Sequence, residues 1–488
     1  MLDLLVAEFG GELKGESAGV EVLDVRIDSR SVQPGDLFCA LPGAQADGRE
    51  FIQDAAARGA VCVLAPEGTD SEDGVLLWCH SDPRATMGDV AARLNGHPSQ
   101  DMKVVAVTGT NGKTTVAHLV ASLLESVGKS TACLGTVANR VAGELIESTH
   151  TTPDAAEIQR LLALHRDAGG VAVCMEASSH ALDQERLKGL SVDVAVFTNL
   201  SVDHLDYHGD LETYARTKQR LFESLSPGSV AVVNALDARS GQMERAARER
   251  GAEVISYGDS DSDLWAEGVS LEAARTCFEL CSREGSVSVE TKLIGRFGLE
   301  NALAAAAAAI ASGLSLEEVK SGLLEVVAPP GRMEPVDTAA HEFSVLVDFA
   351  HTEDALAGAL ETLRPLVGEK GRLTVVFGCG GDRDVSKREA MGVVAGELAD
   401  LVFVTSDNPR SEDPMSICRV IAEGALRGEA LVTVESDRRS AIRAAIKDAA
   451  KGDVILIAGK GHESSQEING EKVAFDDRAV AAEELFAL

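Results

Sequence analysis

The stretch Val104-Val105-Ala106-Val107-Thr108-Gly109-Thr110-Asn111-Gly112-Lys113-Thr114-Thr115 decides the fold of this chain. Its β-branched start reads as a buried strand. Two glycines, a lysine and two threonines follow, and Val116 to Leu124 then places apolar residues at helical spacing. Strand, glycine loop and helix together are the context in which a phosphate loop forms. Backbone N–H groups at the helix start wrap a polyphosphate, and the helix dipole favours its charge. Lys113 is placed to reach the β- and γ-phosphates, and the Thr114 hydroxyl to face a magnesium ion. The usual spacing has glycine at position 107, where this chain has valine. A tight strand-to-helix turn is the competing reading, but it gives no reason for Gly-Lys-Thr-Thr to open the helix.

The 488 residues are too many for one core, and about three domains are expected. The net charge of −33 is spread evenly, at −10, −12 and −11 over residues 1–98, 99–328 and 329–488. An even acidic surface argues against nucleic-acid or anionic-membrane partners. Nine cysteines without a CxxC pair, and a short acidic start (Met1 to Phe9) unlike a signal peptide, fit a reducing cytoplasm. Cys277 and Cys281 can share a face, with free thiols the expected state. The longest apolar run, Ala302 to Ala311, is too short to span a bilayer.

His97-Pro98-Ser99 and Ala328-Pro329-Pro330-Gly331 punctuate the chain. Residues 1–98 read as a small α/β domain. Residues 99–328 alternate strands (103–108, 131–136, 171–176, 193–198, 229–234) with helices, as in a doubly wound parallel sheet of P-loop ATPase type. Residues 329–488 alternate strands near 344–348, 372–377, 400–405, 431–434 and 453–458, a second, Rossmann-like unit. The class is therefore α/β, in three domains.

Glu176 ends an apolar strand, where an acid that holds magnesium beside a phosphate loop belongs. His204 and His208 lie four apart in Asp203-His204-Leu205-Asp206-Tyr207-His208, but no further ligand stands at zinc spacing. A polar loop, or one histidine beside magnesium, explains them better. Lys218, on a helix that runs to Leu225, reads alone as a solvated lysine. Asn408-Pro409 reads as a turn before a helix starting near Pro414, which leaves Arg410 without a role. Thr151-Thr152-Pro153-Asp154 reads as a helix cap.

Together these segments resemble the Mur ligases of peptidoglycan synthesis, and among them the ligases that add the third residue of the stem peptide. The resemblance rests on Thr108 to Thr115, Glu176-Ala177-Ser178-Ser179-His180, Phe197 to His208 and the helix bearing Lys218. It extends to Arg26-Ile27-Asp28-Ser29-Arg30 with Gly35-Asp36-Leu37-Phe38, and to Asp348-Phe349-Ala350-His351-Thr352, where phenylalanine replaces the family's tyrosine. Gly378 to Asp384 and Gly459-Lys460-Gly461-His462-Glu463 complete it.

The resemblance implies ATP bound by Gly109, Thr110, Asn111, Gly112, Lys113, Thr114 and Thr115, with Asn301, Arg332, Asp348 and His351 around it. It implies catalysis by Lys113, Glu176, His204 and Lys218. Two Mg²⁺ ions would be held through Thr114, Glu176, His204 and a carbamylated Lys218. The acceptor, UDP-N-acetylmuramoyl-L-alanyl-D-glutamate, would meet Ile27, Ser29, Ala44, Gln45, Ala46, Thr151, Thr152, Ser178, Gln184 and Arg186. In that family Asp407-Asn408-Pro409-Arg410 marks enzymes using meso-diaminopimelate, with Arg383, Gly459 and Glu463 completing the pocket and Glu463 taking an ammonium. A guanidinium fork suits the second carboxylate that lysine lacks. An Arg410 left unpaired by lysine predicts rejection by roughly 10⁴-fold. A cytoplasmic monomer, without nucleic-acid or membrane partners, is the expected state. A lysine-adding ligase, a folylpolyglutamate synthase and a non-catalytic nucleotide binder are the alternatives.

Overall fold

The computed structural model describes all residues except 44–45, 71–73, 149, 273–274 and 339–340. Three main sheets carry the chain. The first orders its strands Glu12–Lys14, Leu77–His80, Cys62–Pro66, Leu37–Cys39 and Val25–Arg26, and only the Glu12–Lys14 edge is antiparallel.

The second sheet has a parallel centre in the order Thr131–Leu134, Ala172–Glu176, Lys103–Thr108, Val194–Phe197, Val230–Asn234 and Glu253–Gly258. The chain leaves Lys103–Thr108, returns to it from one side, then crosses to the other. Its carboxyl end is thus a topological switch point, where crevices open in such sheets. Register sets Glu176 opposite Val107 on one side and Phe197 opposite Thr108 on the other. The helices Lys113–Ser126 and Gly295–Ala311 pack on one face, the latter through a run of buried alanines that lets it approach closely. Val107 is fully buried in its strand. The glycine of the usual phosphate-loop spacing is therefore replaced by strand, and the loop begins at Gly109.

Antiparallel strands absent from the sequence reading extend both edges: Asn139–Val141 and Glu144–Ile146 on one side, Leu264–Leu271, Thr276–Ser282 and Gly285–Thr291 on the other. Cys277 and Cys281 sit on Thr276–Ser282, and all nine cysteines are free thiols.

The third sheet runs Glu334–Val336, Ser344–Asp348, Val454–Ala458, Leu373–Phe377, Leu401–Val404 and Leu431–Val434, parallel apart from the first pair. Asp348, Gly378, Thr405 to Asp407 and Gly459 therefore emerge at one end. Beneath that end, Arg438 and Asp477 form a fully buried ion pair at 2.7 Å. Arg438 also donates to the carbonyls of Ser406 and Ala458, tying two helices to the strand ends. Removing one partner strands a buried charge, so Asp477→Asn should lower unfolding free energy by about 3 kcal/mol in chemical denaturation. No helix among the described residues is long and apolar enough to cross a membrane.

Candidate active site

A cleft of about 1430 Å³ opens between the second and third sheets. Its wall runs from the phosphate loop, through Glu176, His204 and Lys218, to Asp407, Asn408, Arg410 and Glu463.

Gly112 starts the loop's helix with φ 86°, and a Cβ there would lie 2.6 Å from the Asn301 side chain. Only glycine lets the loop turn that tightly against Asn301. The loop is clipped to the next strand's end. Asn199 accepts from the Asn111 N–H at 2.8 Å, and the Thr198 hydroxyl donates to the Asn111 carbonyl at 2.6 Å. Lys113 Nζ folds back onto the carbonyls of Gly109 and Thr110 at 2.9 and 2.8 Å. Burial lowers its pKa, although Glu176 and Asp203 favour the charge.

Glu176 is buried, takes the Thr114 hydroxyl at 2.8 Å on one oxygen and the Thr136 N–H at 2.6 Å on the other. Arg332 donates to the same Thr114 hydroxyl at 3.2 Å. Thr136 was not singled out from sequence; it simply ends the neighbouring strand's exit. The guanidinium of Arg332 lies over the Phe349 ring, 4.4 Å from its centroid. That contact uses the ring face, so the loss of the family's hydroxyl leaves it intact. Asp348 accepts from the Met333 and Ala350 N–H groups and so fixes the turn that carries Arg332. His351 is pushed down to about 4 by burial, with Lys387 adding to it.

Lys218 is not solvated but fully buried. Its Nζ donates to Gly109 O at 2.8 Å and sits 4.3 Å from the Tyr214 ring centroid. Burial, then repulsion from Lys113, drives its pKa well below the ordinary lysine range, with Asp203 opposing. His204 lies at φ 53° with Nε2 3.5 Å from Asp203. Burial and His180 push it down to about 4 against Asp203, leaving a neutral imidazole at pH 7. His180 stands between His204 and Tyr207, at centroid distances of 4.9 and 4.2 Å. No group of three or more His, Cys, Asp or Glu side chains among the described residues could hold a metal alone. The hard oxygen pair of Thr114 and Glu176 fits magnesium, which takes few protein ligands and relies on phosphates and water for the rest.

Of the acceptor residues, Thr152, Ser178, Gln184 and Arg186 are joined directly. Thr152 donates to Glu176 O and accepts from the Ser178 N–H, while Arg186 donates to Thr152 O and Gln184. Thr151 accepts from Thr136 at 3.1 Å. The helix cap is Asp154, which accepts from the Glu157 N–H. Ile27, Ser29 and Ala46 belong to the first sheet's side and do not line the cleft. Ala44 and Gln45 lie outside the described residues.

At the far end, Gly459 has φ 111°, and a Cβ there would meet Asp407 at 2.6 Å. Burial raises Asp407. Pro409 is buried in the turn and does not line the cleft; exposed Arg383 does. Two expectations need correction. Glu463 is not bare before an ammonium arrives: the fully buried Lys460 donates to it at 2.8 Å and Asn408 at 2.9 Å, both at Oε2, which leaves Oε1 to take the ammonium. Nor is Arg410 unpaired without a ligand. Its Nε meets Glu467 at 3.2 Å and its Nη1 donates to Gly381 O at 2.6 Å. Lys460 stood in a quoted motif without a role, and Glu467 carried no sequence signal.

A phosphate loop facing a second Rossmann-like sheet across one cleft defines a nucleotide-dependent, multi-substrate enzyme of the α/β class. Models of the "Mur ligase family, catalytic domain", "Mur ligase middle domain" and "Mur ligase, glutamate ligase domain" match residues 21–86, 107–309 and 331–461. A relative from Chromobacterium violaceum is 42% identical over 483 residues, covering 97% of this chain and 96% of its own. One from Halalkalibacterium halodurans is 41% identical over 487 residues, covering 99% and 98%. Both are named UDP-N-acetylmuramoyl-L-alanyl-D-glutamate--2,6-diaminopimelate ligase. A solved structure of a ligase of that name superposes with a TM-score of 0.71 at 36% identity, covering 99% of this chain and 98% of the other. The chain belongs to the Mur ligase family.

Proposed function

We propose that this chain is an ATP-dependent amide ligase that adds meso-2,6-diaminopimelate to UDP-N-acetylmuramoyl-L-alanyl-D-glutamate. The observation that carries the reading is one cleft with the phosphate loop and Glu176 at one end and Arg410, Asn408 and Glu463 at the other. The side-chain carboxylate of the acceptor's D-glutamate attacks the γ-phosphorus of ATP, and the bond to the β-phosphate oxygen breaks, giving an acyl phosphate and ADP. The amine of diaminopimelate then attacks the acyl carbon, loses a proton, and phosphate leaves.

Lys113 turns from Gly109 and Thr110 carbonyls to the phosphates, where its charge counters the charge that develops in transfer. Thr114 and Glu176 would hold one magnesium ion, and His204 with carbamylated Lys218 a second; when bound, the ions neutralise the phosphates. Carbamylation needs an uncharged amine to attack CO₂, and the burial of Lys218 moves its pKa in that direction. Thr152, Ser178, Gln184 and Arg186 form a bonded cradle beside Glu176 for the acceptor's peptide end. Ile27, Ser29 and Ala44–Ala46 would take its nucleotide end. Asn408 and Glu463 orient the amino acid, and Arg410 reads its far carboxylate. Converging three substrates is the main catalytic task. A cytoplasmic monomer that binds neither nucleic acid nor membrane fits the even acidity.

ADP release is the test, with ATP, magnesium, bicarbonate and the UDP-muramoyl dipeptide, adding meso-diaminopimelate to one tube and L-lysine to another. Turnover with diaminopimelate is expected, and it should weaken in CO₂-free buffer. Turnover with lysine alone would overturn the substrate assignment, and nucleotide binding without turnover in either would overturn the ligase reading.

A further inference from the structure

On the ligase reading above, we propose that Glu467 is a specificity-determining residue: an internal carboxylate that competes with the substrate's far carboxylate for Arg410. The contact is built by main-chain register. The hairpin of Ser465–Ile468 and Glu471–Ala474 flanks the Asp407–Arg410 segment. The Arg410 N–H donates to Glu467 O at 3.0 Å, and Arg410 O accepts from the Asn469 N–H at 2.7 Å. Asn408 Oδ1 accepts from the Glu467 N–H at 3.0 Å. The buried Gln466 donates to Ser406 Oγ at 2.9 Å and to Asp407 O at 2.5 Å. Arg410 itself sits in the left-handed region at φ 49°, a backbone conformation that its N–H and C=O bonds to the hairpin hold in place.

A guanidinium offers two edges to a carboxylate, Nε with Nη2 or Nη1 with Nη2. Here Glu467 holds Nε and Gly381 O holds Nη1, and Nη2 makes no hydrogen bond among the described residues. A ligand on the Nε edge must displace Glu467, whereas on the other edge Nη1 and Nη2 each keep an N–H to offer, from a guanidinium whose charge Glu467 already shares. The Arg410 and Glu467 side chains are 22% and 36% exposed, so the pair is weak enough to exchange. Glu467 thus keeps Arg410 neutralised between turnovers and weakens its grip on a carboxylate. It also lowers the cost of binding an amino acid that has no carboxylate there.

Glu467→Gln keeps an oxygen acceptor for Nε and removes the charge; Glu467→Ala removes both. Steady-state kinetics on the full chain should show KM for meso-diaminopimelate falling roughly two- to fivefold in both variants, the size of a part-exposed ion pair. The effect should fall mainly on KM rather than kcat and shrink as salt rises. Discrimination against L-lysine should sharpen. Unchanged KM in both variants would overturn the proposal. So would a KM that rises in Glu467→Ala and stays unchanged in Glu467→Gln, because Glu467 would then only position Arg410. Wild-type protein that fails to use diaminopimelate sinks the ligase reading itself, a result separate from either of these.

Discussion

Lys113→Ala is expected to lower ADP formation about 10³-fold or more, with kcat carrying most of the loss. The lysine is the first residue of its helix, so its Cα is fixed by the Gly112 turn and its stem lies along the loop. Its ammonium is held by two loop carbonyls that offer no negative charge of their own. Burial lowers its pKa, so an incoming polyphosphate that stabilises the ammonium is favoured at this position. Phosphoryl transfer leaves the protein little covalent work, and a charge at the transferring group is worth about three orders of magnitude or more. A purely structural role, cross-linking Gly109 and Thr110, would instead show as lost nucleotide affinity and lower melting temperature. Lys113→Arg separates the two roles. It keeps charge and donors but presents a planar fork where the loop fits a compact ammonium, so binding should survive and turnover should not. Normal ADP release by Lys113→Ala would sink the assignment.

Much of this site is readable in the sequence because parallel sheets announce themselves. Val104–Val107, Val173–Met175, Val194–Phe197 and Ile455–Ile457 are buried on both faces, so they are near-continuous apolar runs. Their motifs follow at the carboxyl ends, where parallel topology gathers them. The antiparallel edges were missed for the complementary reason. Leu264–Leu271 is mostly exposed and has no strong apolar signature, while Gly285–Thr291 carries only a short alternation at Val287 and Val289 in place of a continuous apolar run. Side-chain partnerships were less legible still. Lys218 looks like any helix lysine until Gly109 and Tyr214 close over it. Arg410 and Glu467 are 57 residues apart and meet only because a hairpin lies in one register. No composition or spacing rule encodes that register.

That pairing changes the expected behaviour of Arg410. An unpaired guanidinium in a desolvated pocket predicted rejection of lysine by roughly 10⁴-fold. With Glu467 and Gly381 O already on the fork, lysine leaves no orphaned charge, and the penalty that remains is the forgone carboxylate contact. The preference for diaminopimelate should therefore be about 10²- to 10³-fold, the worth of one buried charge-assisted pair. Arg410→Ala should lower kcat/KM for meso-diaminopimelate by the same factor, mostly through KM, and leave lysine turnover nearly unchanged. The variant also strips Glu467 of its partner beside the ligand's carboxylate, a repulsion that pushes the ratio further toward lysine. Gly381 is buried and its carbonyl loses a donor, so a small fall in melting temperature accompanies the variant. ATP affinity serves as the control, since Arg410 touches neither the phosphate loop nor Glu176. The decisive quantity is the ratio of kcat/KM for the two amino acids in wild type and variant. A ratio that collapses by about 10² or more places the carboxylate on Arg410. If both substrates weaken equally, Arg410 merely holds the loop, and the far carboxylate is read elsewhere, with the exposed Arg383 the remaining arginine on that wall of the cleft.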